Sequence, residues 1–293
     1  MDRLSDIGVI KELLRRYGFS FSKAMGQNFL INPSVCPRMA QMCGATKKDG
    51  VLEIGPGIGV LTRELAKQAE RVVAIELDQR LLPVLQETVL DEHTNVELVH
   101  GDVLKLPLRE LLQNQFQPGQ RVYVCANLPY YITSPILMRL LEERLPVETI
   151  TVMVQKEAAS RLCALPGTRE SGAVSVAVQY YAQARVLFPV SRGSFLPAPN
   201  VDSCVMQLHV RQYPAVQVED EKRFFRLVKA AFGQRRKTLL NALSNALLYD
   251  KGEIAAAMKR AGIPEQARAE SVTIDQFAAL DTALEALTMG SQT

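Results

Sequence analysis

The chain reads as an α/β protein, an open, mostly parallel sheet with helices on both faces, followed by a small all-α domain. Three observations predict this. From residue 51 short β-prone runs alternate with helical segments, a glycine-rich stretch follows the first of these runs, and β character ends after Gln212-Tyr213-Pro214. Strands separated by helix-length segments pair in parallel, because the crossover helix must cover a sheet face. With 293 residues, 47% of them hydrophobic, the chain is long enough for one large domain and a smaller one.

Residues 1–50 precede the first strand as an extension. Within it, Lys23 to Leu30 reads either as an ordinary loop and helix cap or as a segment folded back over a ligand at the sheet. The runs VLEI at 51, RVVAIE at 71, NVELVH at 95 and RVYVCA at 121 are the first four strands of the sheet. LTRELAKQA and QRLLPVLQETVL read as helices between them, and TITVMVQ, from Thr149, is the fifth strand. A helical stretch near 172–183 leads to ARVLFPV, then a proline-rich loop and CVMQLHV. Two such closely spaced late strands suggest an antiparallel addition at the sheet's edge. The boundary falls near 211–219, giving a first domain of residues 1–212 and a helical domain of 213–293.

Charge and cysteine usage narrow the class. Asp2, Arg3, Asp6, Lys11, Glu12, Arg15 and Arg16 interrupt any signal-peptide core, and no apolar run reaches membrane-spanning length, so a cytoplasmic protein is expected. Cysteines 36, 43, 125, 163 and 204 form no CxxC pair, and the only histidines are His93, His100 and His209, which disfavours a zinc site or a disulfide framework. Cys125 and Cys204 lie in apolar runs and read as small core residues. A net charge of +3 is too small to identify a polyanionic partner, so the placement of the charge matters more.

Ligands of open α/β sheets bind beyond the carboxyl ends of the strands, and four such ends carry polar residues. The first runs into Glu53-Ile54-Gly55-Pro56-Gly57-Ile58-Gly59, where Gly55 and Gly57 let the backbone approach a ligand. The second ends at Glu76, placed to accept both hydroxyls of a ribose, with Asp78 following. The third ends at Asp102, placed to accept the amino group of an adenine. The fourth ends at Asn127-Leu128-Pro129-Tyr130. Proline stiffens this last loop; the Asn127 oxygen and a loop carbonyl can hold a planar amine while Tyr130 stacks on its ring. The same tetrapeptide is also a plain strand-to-helix turn. A dinucleotide site is the competing reading of the glycine loop, although that fingerprint is GxGxxG and this spacing is GxGxG. Glu76 and Asp102 suit an adenosine and Asn127-Leu128-Pro129-Tyr130 presents an amine to a methyl donor, which favours S-adenosylmethionine.

Lys23-Ala24-Met25-Gly26-Gln27-Asn28-Phe29-Leu30, the glycine loop, Glu76, Asp102, Asn127-Leu128-Pro129-Tyr130 and Phe195-Leu196-Pro197-Ala198-Pro199-Asn200-Val201-Asp202-Ser203 occur in this order. Over nearly its whole length the chain thereby resembles the ribosomal RNA adenine dimethyltransferases, in particular the bacterial branch acting on small-subunit RNA. The resemblance implies a seven-stranded Rossmann-like methyltransferase sheet, S-adenosylmethionine as methyl donor, and a helical RNA-binding domain. It implies donor contacts from Gln27, Asn28, Leu30, Gly55, Glu76, Asp102 and Asn127, and a target base held between Tyr130 and Phe195. It further implies dimethylation of N6 on two adjacent adenosines near the 3′ end of 16S rRNA, with a role in subunit biogenesis. The expected partner is small-subunit rRNA in a pre-assembled 30S particle, and a monomer is expected because no coiled coil or obligate interface shows in the sequence. Asn200 departs from the family, where a basic residue is frequent. Two other functions stand beside this one: methylation of large-subunit rRNA adenine of the antibiotic-resistance type, and a non-catalytic ribosome-assembly factor.

Bottom-up chemistry points the same way. The lone pair of adenine N6 is delocalised into its ring, so a catalyst must orient the nitrogen, through the Asn127 oxygen and the Pro129 carbonyl, more than deprotonate it. Phe195 taken alone reads equally as a core residue. Lys222, Arg223, Arg226, Lys229, Arg235, Arg236 and Lys237 give seven positive charges within 222–237 and no acid. Such a run is a solvated face or a phosphate-binding surface, and its freedom from acids favours the second.

Overall fold

In the computed structural model, residues 4–18 and 28–290 are described. The expected donor contact Gln27, with Lys23 to Gly26, lies outside them. Among the described residues nine strands form: β1 Phe29–Leu30, β2 Gly50–Ile54, β3 Arg71–Glu76, β4 Val96–His100, β5 Val122–Asn127, β6 Thr149–Gln155, β7 Ala182–Val190, β8 Phe195–Leu196 and β9 Ser203–Val210. Seven of them make one sheet in the order β4-β3-β2-β5-β6-β9-β7. Strands β2 to β6 pair in parallel, and β9 enters antiparallel to β6, from Gln155 opposite Ser203 to Thr149 opposite His209. The late strands are therefore the antiparallel addition the sequence suggests. The two residues of β1 pair with β8, Leu30 opposite Phe195.

Burial explains the strand sequences. Every residue of β2 is buried, as are the first five of β5 and the first six of β6, because helices cover both faces of these central strands and apolar runs replace alternation. Cys125 in β5 and Cys204 in β9 are buried, as small core residues. Strand order reverses between β2 and β5, whose crossover connections run to opposite sides, and the crevice at their carboxyl ends is where an open sheet binds ligands. The segment 79–90 is helical but changes pitch, widening over Gln86–Leu90, and brings Val89 against the glycine loop. Gly59, at φ 89°, begins the helix Val60–Gln68; a Cβ there would lie 2.3 Å from Val89 Cγ2, so both conformation and space demand glycine.

Contacts divide the chain into two compact units, Met1–Ala159 with Arg185–Val210, and Ser160–Ala184 with Arg211–Thr293. The pattern-based cut near 212 keeps residues 160–184 with the sheet, whereas their contacts gather with the C-terminal helices. The helix Ala173–Tyr181 is the reason. It is buried from Ser175 to Tyr181, and Tyr181 stacks on Phe225 at 5.6 Å while Tyr180 lies 5.6 Å from Phe224. Both tyrosine hydroxyls donate to Glu221. A helix apolar on all sides carries no sequence signal of which partner it will choose. Among the described residues, no helix is long and apolar enough to cross a membrane.

Candidate active site and nucleic-acid interface

The carboxyl ends of β2, β3 and β5 and the turn after β4 converge on one cavity. Its lining includes Asn28, Leu30, Gly55, Gly57, Glu76, Asp102 and Asn127-Leu128-Pro129-Tyr130. Gly55 and Gly57 hold φ of 70° and 62°. A Cβ on Gly55 would meet nothing within 4 Å, so the glycine is there for its backbone conformation. Glu76 is 6% exposed. One of its oxygens accepts from Gly57 N–H at 3.2 Å and the other from Asp78 N–H at 2.8 Å, which fixes the carboxylate and leaves lone pairs on both oxygens for a ligand. Burial holds the Glu76 carboxyl above its ordinary range. Asp102 accepts from Leu104 N–H at 2.9 Å and stays partly exposed.

Sequence reading missed Glu53 as a site residue. It is 1% exposed, it lines the cavity, and among the described residues its Oε2 has no hydrogen-bond partner. Burial, with the Glu76 charge acting in the same direction, pushes its carboxyl up to about 8. A buried carboxyl left with an open acceptor fits a cationic ligand, whose charge would offset the desolvation. Leu77 was missed as well: it is 47% exposed beside Glu76 and forms an apolar wall. The available signal was its position immediately after a strand-end acid. Glu53, Glu76 and Asp102 thus give the cavity three carboxyl groups, and its lining among the described residues contains no lysine, arginine or histidine. Such a wall suits the sulfonium and ammonium of S-adenosylmethionine and repels the pyrophosphate of a dinucleotide.

Asn127 ends β5, and its Nδ2 donates to the Asn28 carbonyl at 3.4 Å. That bond sets the amide's orientation, with Oδ1 as the remaining acceptor. Leu128 N–H donates to the Met153 carbonyl at 3.3 Å and its side chain is 1% exposed, so the loop is anchored on β6. The Pro129 carbonyl corrects an expectation. It already accepts from Ile132 N–H and from Thr133 Oγ1, each at 3.2 Å. Both donations serve the turn that starts the next helix, which leaves the Leu128 carbonyl, unbonded among the described residues, as the loop's available acceptor. Tyr130 Oη is 2.6 Å from Ser203 Oγ on β9, which pins the ring.

Phe195 is placed away from the cavity. It is 2% exposed and packs with Leu30, Val35, Cys36 and Val205, because the β1–β8 pairing turns it into the core. The sandwich expected with Tyr130 is not formed; Tyr131, 58% exposed and lining the cavity, is the aromatic beside Tyr130.

A model of the family described as ribosomal RNA adenine dimethylase matches residues 18–285. The chain belongs to the ribosomal RNA adenine dimethylase family. The chain is 49% identical over 277 residues to a protein of Bacillus licheniformis named ribosomal RNA small subunit methyltransferase A, covering 94% of each. It is 48% identical over 280 residues to the protein of the same name from Clostridioides difficile, covering 96% of each. Among solved structures it is similar to a dimethyladenosine transferase from Plasmodium falciparum, with TM-score 0.72 and 25% identity over 89% of this chain and 98% of that one. It is also similar to the 23S rRNA methyltransferase ErmE, with TM-score 0.67 and 29% identity over 88% of this chain and all of that one.

In the second unit the basic run lies on the helix Glu221–Phe232 and the turn after it. Phe224, Leu227, Val228 and Ala231 are buried, and Lys222, Arg226 and Lys229 are exposed on the other face. Arg235, Arg236 and Lys237 are exposed too, with Arg235 Nη2 donating to the Ser171 carbonyl at 3.2 Å. Arg223 is the exception. Its guanidinium donates to both oxygens of Asp281, at 3.1 and 2.9 Å, and pairs with Glu285, and these partners raise its pKa. The side chain is 22% exposed and that of Asp281 3%, so Arg223 ties helices together rather than meeting phosphate. Arg223→Ala is expected to destabilise the protein by about 2–3 kcal/mol, below the range for fully buried pairs, by leaving Asp281 unpaired. A urea midpoint equal to that of the parent would contradict this assignment.

Proposed function

We propose that this protein transfers methyl groups from S-adenosylmethionine to N6 of two adjacent adenosines near the 3′ end of small-subunit rRNA, giving N6,N6-dimethyladenosine. The observation that carries the reading is the acid-walled cavity, free of basic groups among its described residues, that ends on the Asn127 amide and the Tyr130 ring. Identity of 49% to a small-subunit methyltransferase, against 29% to the large-subunit enzyme ErmE, supports the small-subunit substrate over the large.

S-adenosylmethionine supplies an electrophilic methyl on a positively charged sulfur. The residues of the chain do the rest by position. Glu76 accepts from the ribose hydroxyls, Asp102 from the adenine amino group, and Glu53 balances the cationic end, with the Gly55 and Gly57 backbone and Asn28 and Leu30 closing the walls. On the substrate side, Asn127 Oδ1 and the Leu128 carbonyl accept the two N6 hydrogens of the target in the first transfer, and one of them accepts the single hydrogen that remains in the second. Those bonds pull N6 from planarity and aim its lone pair along the cavity. Methylated N6 bears a positive charge and is strongly acidic, so its proton passes to solvent water after transfer rather than to a base before it, and no histidine is required. Tyr130, fixed by Ser203, stacks on a base taken out of the RNA helix.

The six exposed cations Lys222, Arg226, Lys229, Arg235, Arg236 and Lys237 form the phosphate-binding surface of the second unit. Reversing Arg235 and Arg236 to glutamate is expected to make the dependence of log affinity on log salt shallower by roughly 1–2 units, in proportion to phosphates lost. An unchanged slope in filter binding at several salt concentrations would remove these residues from the interface. The substrate in this reading is the assembled 30S particle and the enzyme acts as a monomer with a part in subunit biogenesis. The deciding experiment incubates the protein with unmethylated small subunits and methyl-labelled donor and maps the label. Label at the paired 3′ adenosines is expected; label confined to large-subunit RNA would sink the proposal.

A further inference from the structure

Tyr131 is the one aromatic ring at the cavity among the described residues that neither the core nor a hydrogen bond accounts for. It is 58% exposed, it lines the cavity, and among the described residues its hydroxyl has no hydrogen-bond partner. Tyr130, by contrast, is held through its hydroxyl by Ser203, so its ring has a single position and serves a single base. Both tyrosines lie in the tight turn Tyr130–Ile132, where consecutive side chains leave in different directions from Cα atoms about 3.8 Å apart. Phe195, the other aromatic candidate for the substrate side, is buried in the core. Val201, 45% exposed, stands two residues before Ser203, so exposed apolar groups lie next to the Tyr130–Ser203 pair on both chain segments that meet there. Exposed aromatic surface beside a base-handling site has a specific use. When a base leaves its stack, its neighbour loses a stacking partner, and an aromatic ring can take that place.

We infer that Tyr131 is the stacking platform for the nucleobase next to the target adenine, so that the site holds two consecutive bases, one on Tyr130 and one on Tyr131. The inference rests on the adenine-in-RNA reading given above and extends it from one base to a dinucleotide step. Stacking is indifferent to the identity of the base, so Tyr131 contributes affinity and register rather than sequence selection. It also favours a substrate in which the next base is free to unstack.

The test measures kcat/KM for methyl transfer to reconstituted small-subunit particles carrying either intact RNA or RNA with one abasic nucleotide beside the target adenosine. On intact RNA, Tyr131→Ala is expected to lose about tenfold, within the range for removing one base–aromatic stack. Tyr131→Phe and Tyr131→Trp should stay within about twofold of the parent, because the ring and not the hydroxyl is used. The Kd for S-adenosylmethionine should be the same in all of them, which separates a lost platform from a disturbed cavity. The abasic nucleotide should lower the parent to the level of Tyr131→Ala and leave that variant where it was. Full activity of Tyr131→Ala on intact RNA, a Phe variant as poor as the Ala variant, or independent multiplication of the two losses each overturns the proposal. A parent protein that transfers no methyl to adenine would overturn the functional reading itself, and that result is distinguishable because it appears before any variant is compared.

Discussion

Asn127→Ala is expected to lower the rate of methyl transfer by about 10²–10³-fold, the usual loss when one group aimed at the reacting centre is removed, while RNA affinity stays within about twofold of the parent because phosphate contacts dominate binding. The physical reason is local. Asn127 Nδ2 donates to the Asn28 carbonyl, so its oxygen is committed to face the amine before substrate arrives. Alanine removes both the acceptor and its orientation, and leaves N6 held by the Leu128 carbonyl alone. Single-turnover transfer with labelled donor, alongside filter binding, measures the two quantities separately. Equal loss of both would mean that Asn127 supports the fold rather than the reaction, and an unchanged transfer rate would remove it from the site.

Glu76→Ala should weaken S-adenosylmethionine binding by about 10²–10⁴-fold, the loss of two hydroxyl bonds. Each hydrogen bond from a hydroxyl to a charged acceptor contributes roughly 1.5–3 kcal/mol, and 1.4 kcal/mol is about tenfold in affinity. The alanine variant also frees Gly57 N–H and Asp78 N–H, which Glu76 now accepts at 3.2 and 2.8 Å. Glutamine keeps one acceptor oxygen and most of the shape, so Glu76→Gln should recover part of the loss and bind about tenfold more weakly than the parent. Calorimetric titration with the donor measures all three proteins. A Kd for Glu76→Ala within twofold of the parent would show that the ribose is held elsewhere. Comparison with NAD in the same instrument separates this site from a dinucleotide site, since the Glu76 and Asp102 carboxyls, with no basic side chain among the described lining residues, disfavour a pyrophosphate.

Legibility in the sequence followed the range of the interactions. Strand runs and glycine positions are local, and Gly55, Gly57, Glu76, Asp102 and Asn127 stand at one cavity as their strand-end positions predict. Roles that depend on distant partners were not readable. Phe195 belongs to a motif that places it with a target base, but two residues of pairing with Phe29–Leu30 turn it inward. Arg223 is indistinguishable from its basic neighbours along the chain until Asp281 and Glu285, some sixty residues later, are packed beside it. The Pro129 carbonyl is claimed by Ile132 and Thr133 because the following turn needs its acceptor. Glu53 looked like the last acid of a strand, and only burial made it a candidate for a cation.

By itself the sequence determined the architecture and the chemistry at the strand ends, since the period of apolar residues and the spacing of strand-helix units set which side chains reach one crevice. The tertiary structure decided which of those side chains remain available. Availability is a matter of who else competes for an oxygen, a guanidinium or a ring face. That competition is settled by packing between segments far apart in the chain, which no local pattern encodes.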